Sequence, residues 1–209
     1  MKTINSFVFF SLVYFLPFQL ISQEAPDKRN VWSGGQNGYV VTGDLSILKN
    51  EKTFNVVIVP GIKKMGAKEE PDSIYIPNRV KELNEKKAGK GDKWLEEWEA
   101  AQKNFKQAFI DGFNVKAQKK GVNIGSNDAQ ANYTFILYTR NLMEFWSAMY
   151  LILDMDVVKT SDPSTRIISI RFPVNNSSKA TKAYKDLNER AYYWAGYLFG
   201  KYFAKAAYK

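Results

Sequence analysis

The stretch MYLILDMDVV (residues 149–158), with KTSDPST (159–165) and RIISIRF (166–172) after it, decides how this chain folds. Leu151, Leu153, Met155 and Val157 alternate with Tyr150, Ile152, Asp154 and Asp156, so the two sets lie on opposite faces of a strand. Ile168, Ile170 and Phe172 alternate with Ile167, Ser169 and Arg171 in the same way. Between them, residues 160–165 (TSDPST) are a cluster of turn formers. The pattern predicts an antiparallel hairpin with one buried and one polar face.

Upstream, residues 131–140 alternate too, with Tyr133, Phe135 and Leu137 against Thr134, Ile136, Tyr138 and Arg140. Residues 54–59 (FNVVIV) form a nearly continuous β-branched run stopped by Pro60-Gly61, which reads as a central strand buried on both faces. Tyr39-Val40-Val41-Thr42 and Leu45-Ser46-Ile47-Leu48 flank Gly43-Asp44 and predict a bent strand or hairpin. Residues 63–93 carry nine Lys/Arg and six Asp/Glu with Pro71 and Pro77, a charged surface excursion with a short helix over 80–86. Its KKAGKG segment (86–91) lacks the GxxxxGK[ST] spacing of a phosphate loop.

Two long helices complete the chain. Asp92 reads as an N-cap, and Trp94, Trp98, Ala101, Phe105, Ala108 and Phe109 mark one apolar face, closed by Gly121. The Trp94/Trp98 pair reads as core in preference to a sugar platform, and a bend is expected near Asn104 or Gly112. A final helix is expected over 179–208, with Tyr184, Leu187, Ala191, Trp194, Leu198 and Tyr202 as its inward stripe. The fold class is α+β: a mostly antiparallel sheet with two long helices packed on one face, in a single domain spanning 39–209.

Composition narrows the chemistry. The 209 residues are 45% hydrophobic and 24% charged, a composition that folds. There is no histidine, which excludes Ser-His-Asp machinery and imidazole metal sites. There is no cysteine, which excludes disulfides, thiolate nucleophiles and Cys-ligated metals. No cofactor or metal is expected.

Met1-Lys2, an apolar run from Ile4 to Ile21 and then Ser22-Gln23-Glu24 read as a cleaved signal peptide over 1–22. Residues 23–38 read as a flexible lead-in, and no cysteine follows the apolar run to carry a lipid. Cleavage would remove Lys2 and no acid, taking the formal net charge from +9 to +8. The expectation is an exported chain, periplasmic or extracellular, without a lipid anchor or a later transmembrane segment. Its charge favours anionic partners. Nucleic acid is not expected, because export argues against it and the basic residues are interspersed with acids.

The order Val59-Pro60-Gly61, helix, Lys120-Gly121-Val122-Asn123-Ile124, Ala131-Asn132-Tyr133-Thr134 and then Leu153-Asp154-Met155-Asp156…Ile167-Ile168 resembles periplasmic α/β domains of bacterial envelope proteins. The N-terminal domain of TolB and the periplasmic domain of the curli secretion channel are such domains. Val41-Thr42-Gly43-Asp44-Leu45-Ser46 with Lys93-Trp94-Leu95-Glu96-Glu97-Trp98 is similar to exported proteins of Bacteroidetes. The resemblance implies an assembly, scaffold or binding module and brings no catalytic motif. A curli-type channel would also need a pore-forming hairpin and a lipid anchor.

Two constellations are candidates for function. Asp154 and Asp156 share a strand face with carboxyls roughly 7 Å apart, within the range of an inverting glycosidase pair. Arg140 and Arg171 are expected on that face, where a salt-bridge ladder would keep both acids ionised, the wrong state for a general acid. The second is the final helix, whose aromatics Tyr192, Tyr193, Tyr197, Phe199, Phe203 and Tyr208 spread beyond one stripe beside Lys201 and Lys205. They read as packing against the sheet or as a contact surface for a partner or membrane. Gly196, Gly200 and Ala204, four apart, make a strip that another backbone could approach. The leading functional expectation is a non-catalytic envelope module binding a protein partner or an anionic envelope component. The alternative is a carboxylate-dependent glycan hydrolase.

Overall fold

The computed structural model describes residues 30–32, 39–126, 128–145, 148–176, 184 and 186–207. The expected signal segment lies outside them, as do 179–183 and Tyr208 of the expected last helix. Seven strands form one sheet: β1 (Asn30–Trp32), β2 (Tyr39–Thr42), β3 (Thr53–Met65), β4 (Asn123–Gly125), β5 (Tyr133–Phe145), β6 (Ala148–Lys159) and β7 (Asp162–Asn176). Their spatial order is β1-β2-β7-β6-β5-β3-β4. β3 pairs parallel with both β4 and β5, and every other pairing is antiparallel. The helices are α1 (Asp72–Lys86), α2 (Lys90–Ala117) and α3 (Leu187–Ala206). The class is α+β, with a mixed sheet that is mostly antiparallel.

The predicted hairpin is β6–β7. Leu151, Leu153, Met155, Val157, Ile168, Ile170 and Phe172 are buried, while Ile152, Asp154, Asp156 and Ser169 are half-buried on the other face. Helical aromatics cover the buried face. Phe199 of α3 stacks on Phe172 (5.6 Å) and meets Phe135 edge-on, and Phe203 meets Phe54 edge-on at 5.4 Å. Phe113 of α2 joins the same cluster, 5.6 Å from both Phe199 and Phe203.

Several expectations are corrected. Leu45–Leu48 is a 3-10 turn and not the second arm of a hairpin, because Asp44 accepts the Ser46 backbone N–H at 2.8 Å and winds the chain. Burial of Leu45 and Leu48, three apart, fits that turn. Residues 30–32 of the expected lead-in pair with β2 as a strand. β3 does not stop at Pro60-Gly61; it bulges there and continues to Met65. Proline lacks an N–H and is accommodated at a bulge, while Gly61 takes a φ of 95°. Beyond the bulge, the Ile62 N–H donates to Asp72 Oδ2 at 2.8 Å, tying the strand to the start of α1. β3 is also not buried on both faces, since Val57 is 44% exposed.

The excursion holds a full helix, α1, eight residues longer at its start than expected, and only Leu83 on it is buried. α2 starts at Lys90, so Asp92 is not its N-cap. Asn84 of α1 takes the capping role, accepting the Gly91 N–H at 2.7 Å and donating to Asp92 Oδ1 at 3.1 Å. Gly121 closes the segment in the left-handed conformation, as expected. α3 begins later than expected, because Asp186 caps it by accepting the N–H groups of Asn188 (2.8 Å) and Glu189 (3.2 Å).

α2 and α3 run parallel: Phe105 stacks on Tyr192 at 4.2 Å, Phe109 on Phe199 at 6.4 Å, and Phe113 abuts Gly200. The helices touch backbone to backbone. A Cβ on Gly112 would strike the Tyr193 carbonyl, and one on Gly200 would come within 2.5 Å of the Phe113 carbonyl. The glycine strip read from the sequence thus accommodates the chain's own α2.

Candidate binding surfaces

The face of the sheet away from the helices is assembled by register. Asp154 of β6 lies between Tyr138 of β5 and Arg171 of β7, and Asp156 lies between Ile136 and Ser169. Arg140 is the extra residue of a bulge between Thr139 and Asn141, which brings it beside Asp154. Arg171 donates from Nε to Asp154 Oδ1 at 2.6 Å and from Nη2 to Oδ2 at 3.4 Å, and Arg140 Nη1 donates to Oδ2 at 3.3 Å. Two guanidiniums therefore grip one carboxylate.

Asp156 has a different environment. Arg166, which the sequence reading did not include, approaches it at 3.8 Å because β7 slips register opposite Val158. Burial nevertheless pushes the Asp156 carboxyl up from the ordinary aspartate range, against the Ser169 hydrogen bond and Arg166, which lower it. Tyr138, alongside, is raised for the same first reason, burial, with the Asp156 charge adding to it. So the ladder expected from Arg140, Asp154 and Arg171 forms on the polar face, and a second rung pairs Asp156 with Arg166. Around it lie Val57, Ile136, Tyr138, Ile152 and Ile167, all partly exposed.

The second surface is α3, and here the inward stripe is misassigned. Tyr192, Phe199 and Phe203, expected among the outer aromatics, are at most 1% exposed and belong to the core. On that side Thr139, on the buried face of β5, hydrogen-bonds the Tyr192 hydroxyl at 2.5 Å. Burial raises the Tyr192 phenol well above its ordinary range. Of the expected inward stripe, Ala191 is buried, while Tyr184, Leu187, Trp194, Leu198 and Tyr202 pack against the core yet stay partly exposed.

Tyr193 and Tyr197 are half-buried, and Lys201 and Lys205 are exposed. Tyr197 stacks on Trp194 with ring centroids 4.7 Å apart and planes 7° apart, and the Lys116 ammonium of α2 lies 4.5 Å from its centroid. Tyr193 meets Tyr184 at 5.8 Å, and the Tyr184 hydroxyl donates to Asp111 Oδ2 at 2.5 Å. Burial, reinforced by that bond, raises the Tyr184 phenol. Lys116 and Asp111 were missed from the sequence, since only the parallel docking of α2 and α3 brings them to these rings. Trp98 is buried and Trp94 stacks on it at 6.0 Å, so the pair is part of the packing.

Among the described residues no cluster of three or more His, Cys, Asp or Glu could hold a metal ion, and no helix is long and apolar enough to cross a membrane. No protein-family model matches the chain, and no curated protein matches it. Two solved structures of the PelC dodecamer from Paraburkholderia phytofirmans are similar to it. One has a TM-score of 0.39, 9% identity, and covers 79% of this chain and 97% of that one. The other, a Leu-to-Met point variant of the same dodecamer, gives 0.37, 11%, 79% and 96%. A likeness this distant carries no function across.

Proposed function

We propose that this chain is an exported, non-catalytic α+β module of a bacterial envelope, periplasmic or extracellular, that binds a protein partner or an anionic envelope component. The observation that supports it best is the grip of Arg140 and Arg171 on Asp154. Both oxygens of that carboxylate accept hydrogen bonds from guanidinium groups, Oδ1 from Arg171 and Oδ2 from Arg171 and Arg140. Asp156 faces a cation as well, so the polar sheet face carries a ladder of three guanidiniums and two carboxylates. Acids taken up in such a ladder are ill placed for acid–base work on a glycosidic bond.

A second reading has its own observation. Burial raises the Asp156 carboxyl, and a carboxyl raised by burial beside a second acid is what a general acid requires. The readings part on one experiment: incubation of the purified protein with envelope glycan, scoring new reducing ends, with Asp156→Asn alongside. No release by either protein supports the module. Release by the native chain that Asp156→Asn abolishes supports the hydrolase.

A further inference from the structure

Parallel packing of α2 and α3 sets the C-terminal ends of two helices next to each other. Lys116 is in the last turn of α2, Lys119 and Lys120 are in the 3-10 turn that follows, and Lys201 and Lys205 are in the last turns of α3. Residues 112–126 and 190–207 contain no Asp or Glu. Two helix C-termini together carry roughly one negative charge, and lysines there offset it. Five lysines exceed that need several-fold, so helix capping does not account for them. Lys119, Lys120 and Lys201 are exposed.

The neighbouring side chains are of a matching kind. Tyr193, Gly196 and Gly200 of α3 meet α2, and Tyr192, Phe199 and Phe203 meet the sheet. At helical spacing, Trp194, Leu198 and Tyr202 fall on the remaining side, half-buried. These are amphipathic and apolar groups at the edge of a lysine cluster. They do not make a stacking platform for sugar rings, because Trp194 and the Lys116 ammonium already occupy the faces of Tyr197.

We propose that this lysine-bearing end of the α2–α3 layer docks on a bilayer surface carrying anionic headgroups. This deepens the reading of an anionic envelope component and rests on it. Charge complementarity selects the occupant: exposed Lys119, Lys120 and Lys201, carried on chain segments that contain no Asp or Glu, fit a plane of phosphates. Lysine stems lie along apolar surface with their ammonium groups in the headgroup layer, where tryptophan and tyrosine also partition favourably.

The test is co-sedimentation of the full chain, from Gln23 onward, with vesicles of phosphatidylcholine alone or with about a third phosphatidylglycerol. Binding is expected to the anionic vesicles only and to be lost in about 0.5 M salt. The variant K119Q/K120Q/K201Q should bind about 100-fold more weakly, and K119R/K120R/K201R should bind like the native chain. Circular dichroism melting of each variant separates lost binding from lost folding. Equal binding to both vesicle types, no binding to either, or undiminished binding by a folded glutamine variant would overturn the proposal. So would capture by soluble dextran sulfate with none by vesicles, which would assign the lysines to a free polyanion. Glycan release, measured in parallel, would count against the module reading without altering the vesicle result.

Discussion

The backbone carbonyl of Phe109 in α2 occupies the space that a side chain on Gly196 of α3 would need. Gly112 stands in the same relation to the Tyr193 carbonyl, so the two helices are interlocked at residues that only glycine satisfies. Contact between parallel helices this close sets the position of everything mounted on α3, including the lysine end and the Trp194–Tyr197–Lys116 stack.

Gly196→Ala and Gly112→Ala should therefore each cost about 3 kcal/mol or more, the upper range for overpacking, even though alanine is the better helix former by about 1 kcal/mol. Urea unfolding of the two variants measures this. Gly121→Ala is the control: its φ is 69° but nothing lies within 4 Å, so only backbone strain of about 1–2 kcal/mol is expected.

The Thr139–Tyr192 bond gives a second prediction. Tyr192→Phe should cost about 1–2 kcal/mol by leaving a buried hydroxyl unpaired, and adding Thr139→Val should recover part of that loss. A double-mutant cycle in denaturant gives the coupling directly. Additive losses would mean that the two hydroxyls act separately.

On α3 burial sets the order of the mutational costs. Phe199→Ala, which empties a site in contact with Phe172, Phe135 and Phe113, should cost about 3–5 kcal/mol. Trp194→Ala should cost clearly less, about 1–2 kcal/mol, since the ring is partly exposed and its stacking partner Tyr197 is too. Thermal melts of the two variants should fall in that order.

Strand periodicity was legible because it is imposed by burial on one side: Leu151, Leu153, Met155 and Val157 could point only one way. The phase of α3 was not legible, because this helix is apolar around most of its circumference. Two stripes, one through Leu187, Trp194 and Leu198 and one through Tyr192, Phe199 and Phe203, both have helical spacing. The glycines break the tie. Gly196 and Gly200 must face another backbone, and Phe199 and Phe203 follow about one residue's rotation away, toward the sheet. Proline misled at Pro60, where a bulge absorbs it, and at Pro77, which sits inside α1. Of the candidate site, the rung between Arg171 and Asp154 could be read from alternation, whereas the pairing of Arg166 with Asp156 depends on a register slip that no local pattern records.

Asp156 gives a pH prediction with a definite sign. Its folded carboxyl titrates above the ordinary aspartate value because of burial, so the folded chain holds that proton to higher pH than the unfolded chain does. Ionisation then costs stability as pH rises from the unfolded value through the raised folded one. Asp156→Asn removes this cost, and the exposed Arg166 partner contributes at most about 1 kcal/mol. Relative to the native chain, the variant should gain melting temperature as the pH rises above the ordinary aspartate value of 3.8. A constant difference above that value would show that the carboxyl titrates normally.

The central claim is that the chain works by binding through its helix layer and not by chemistry on its sheet face. The most direct measurement is retention on isolated envelope membranes, compared for the native chain, the double variant Asp154→Asn/Asp156→Asn and the lysine variant K119Q/K120Q/K201Q. The account predicts that the acid variant is retained like the native chain and that the lysine variant is washed away. Retention of the lysine variant with loss of the acid variant would contradict it and move the functional surface to the other face of the sheet.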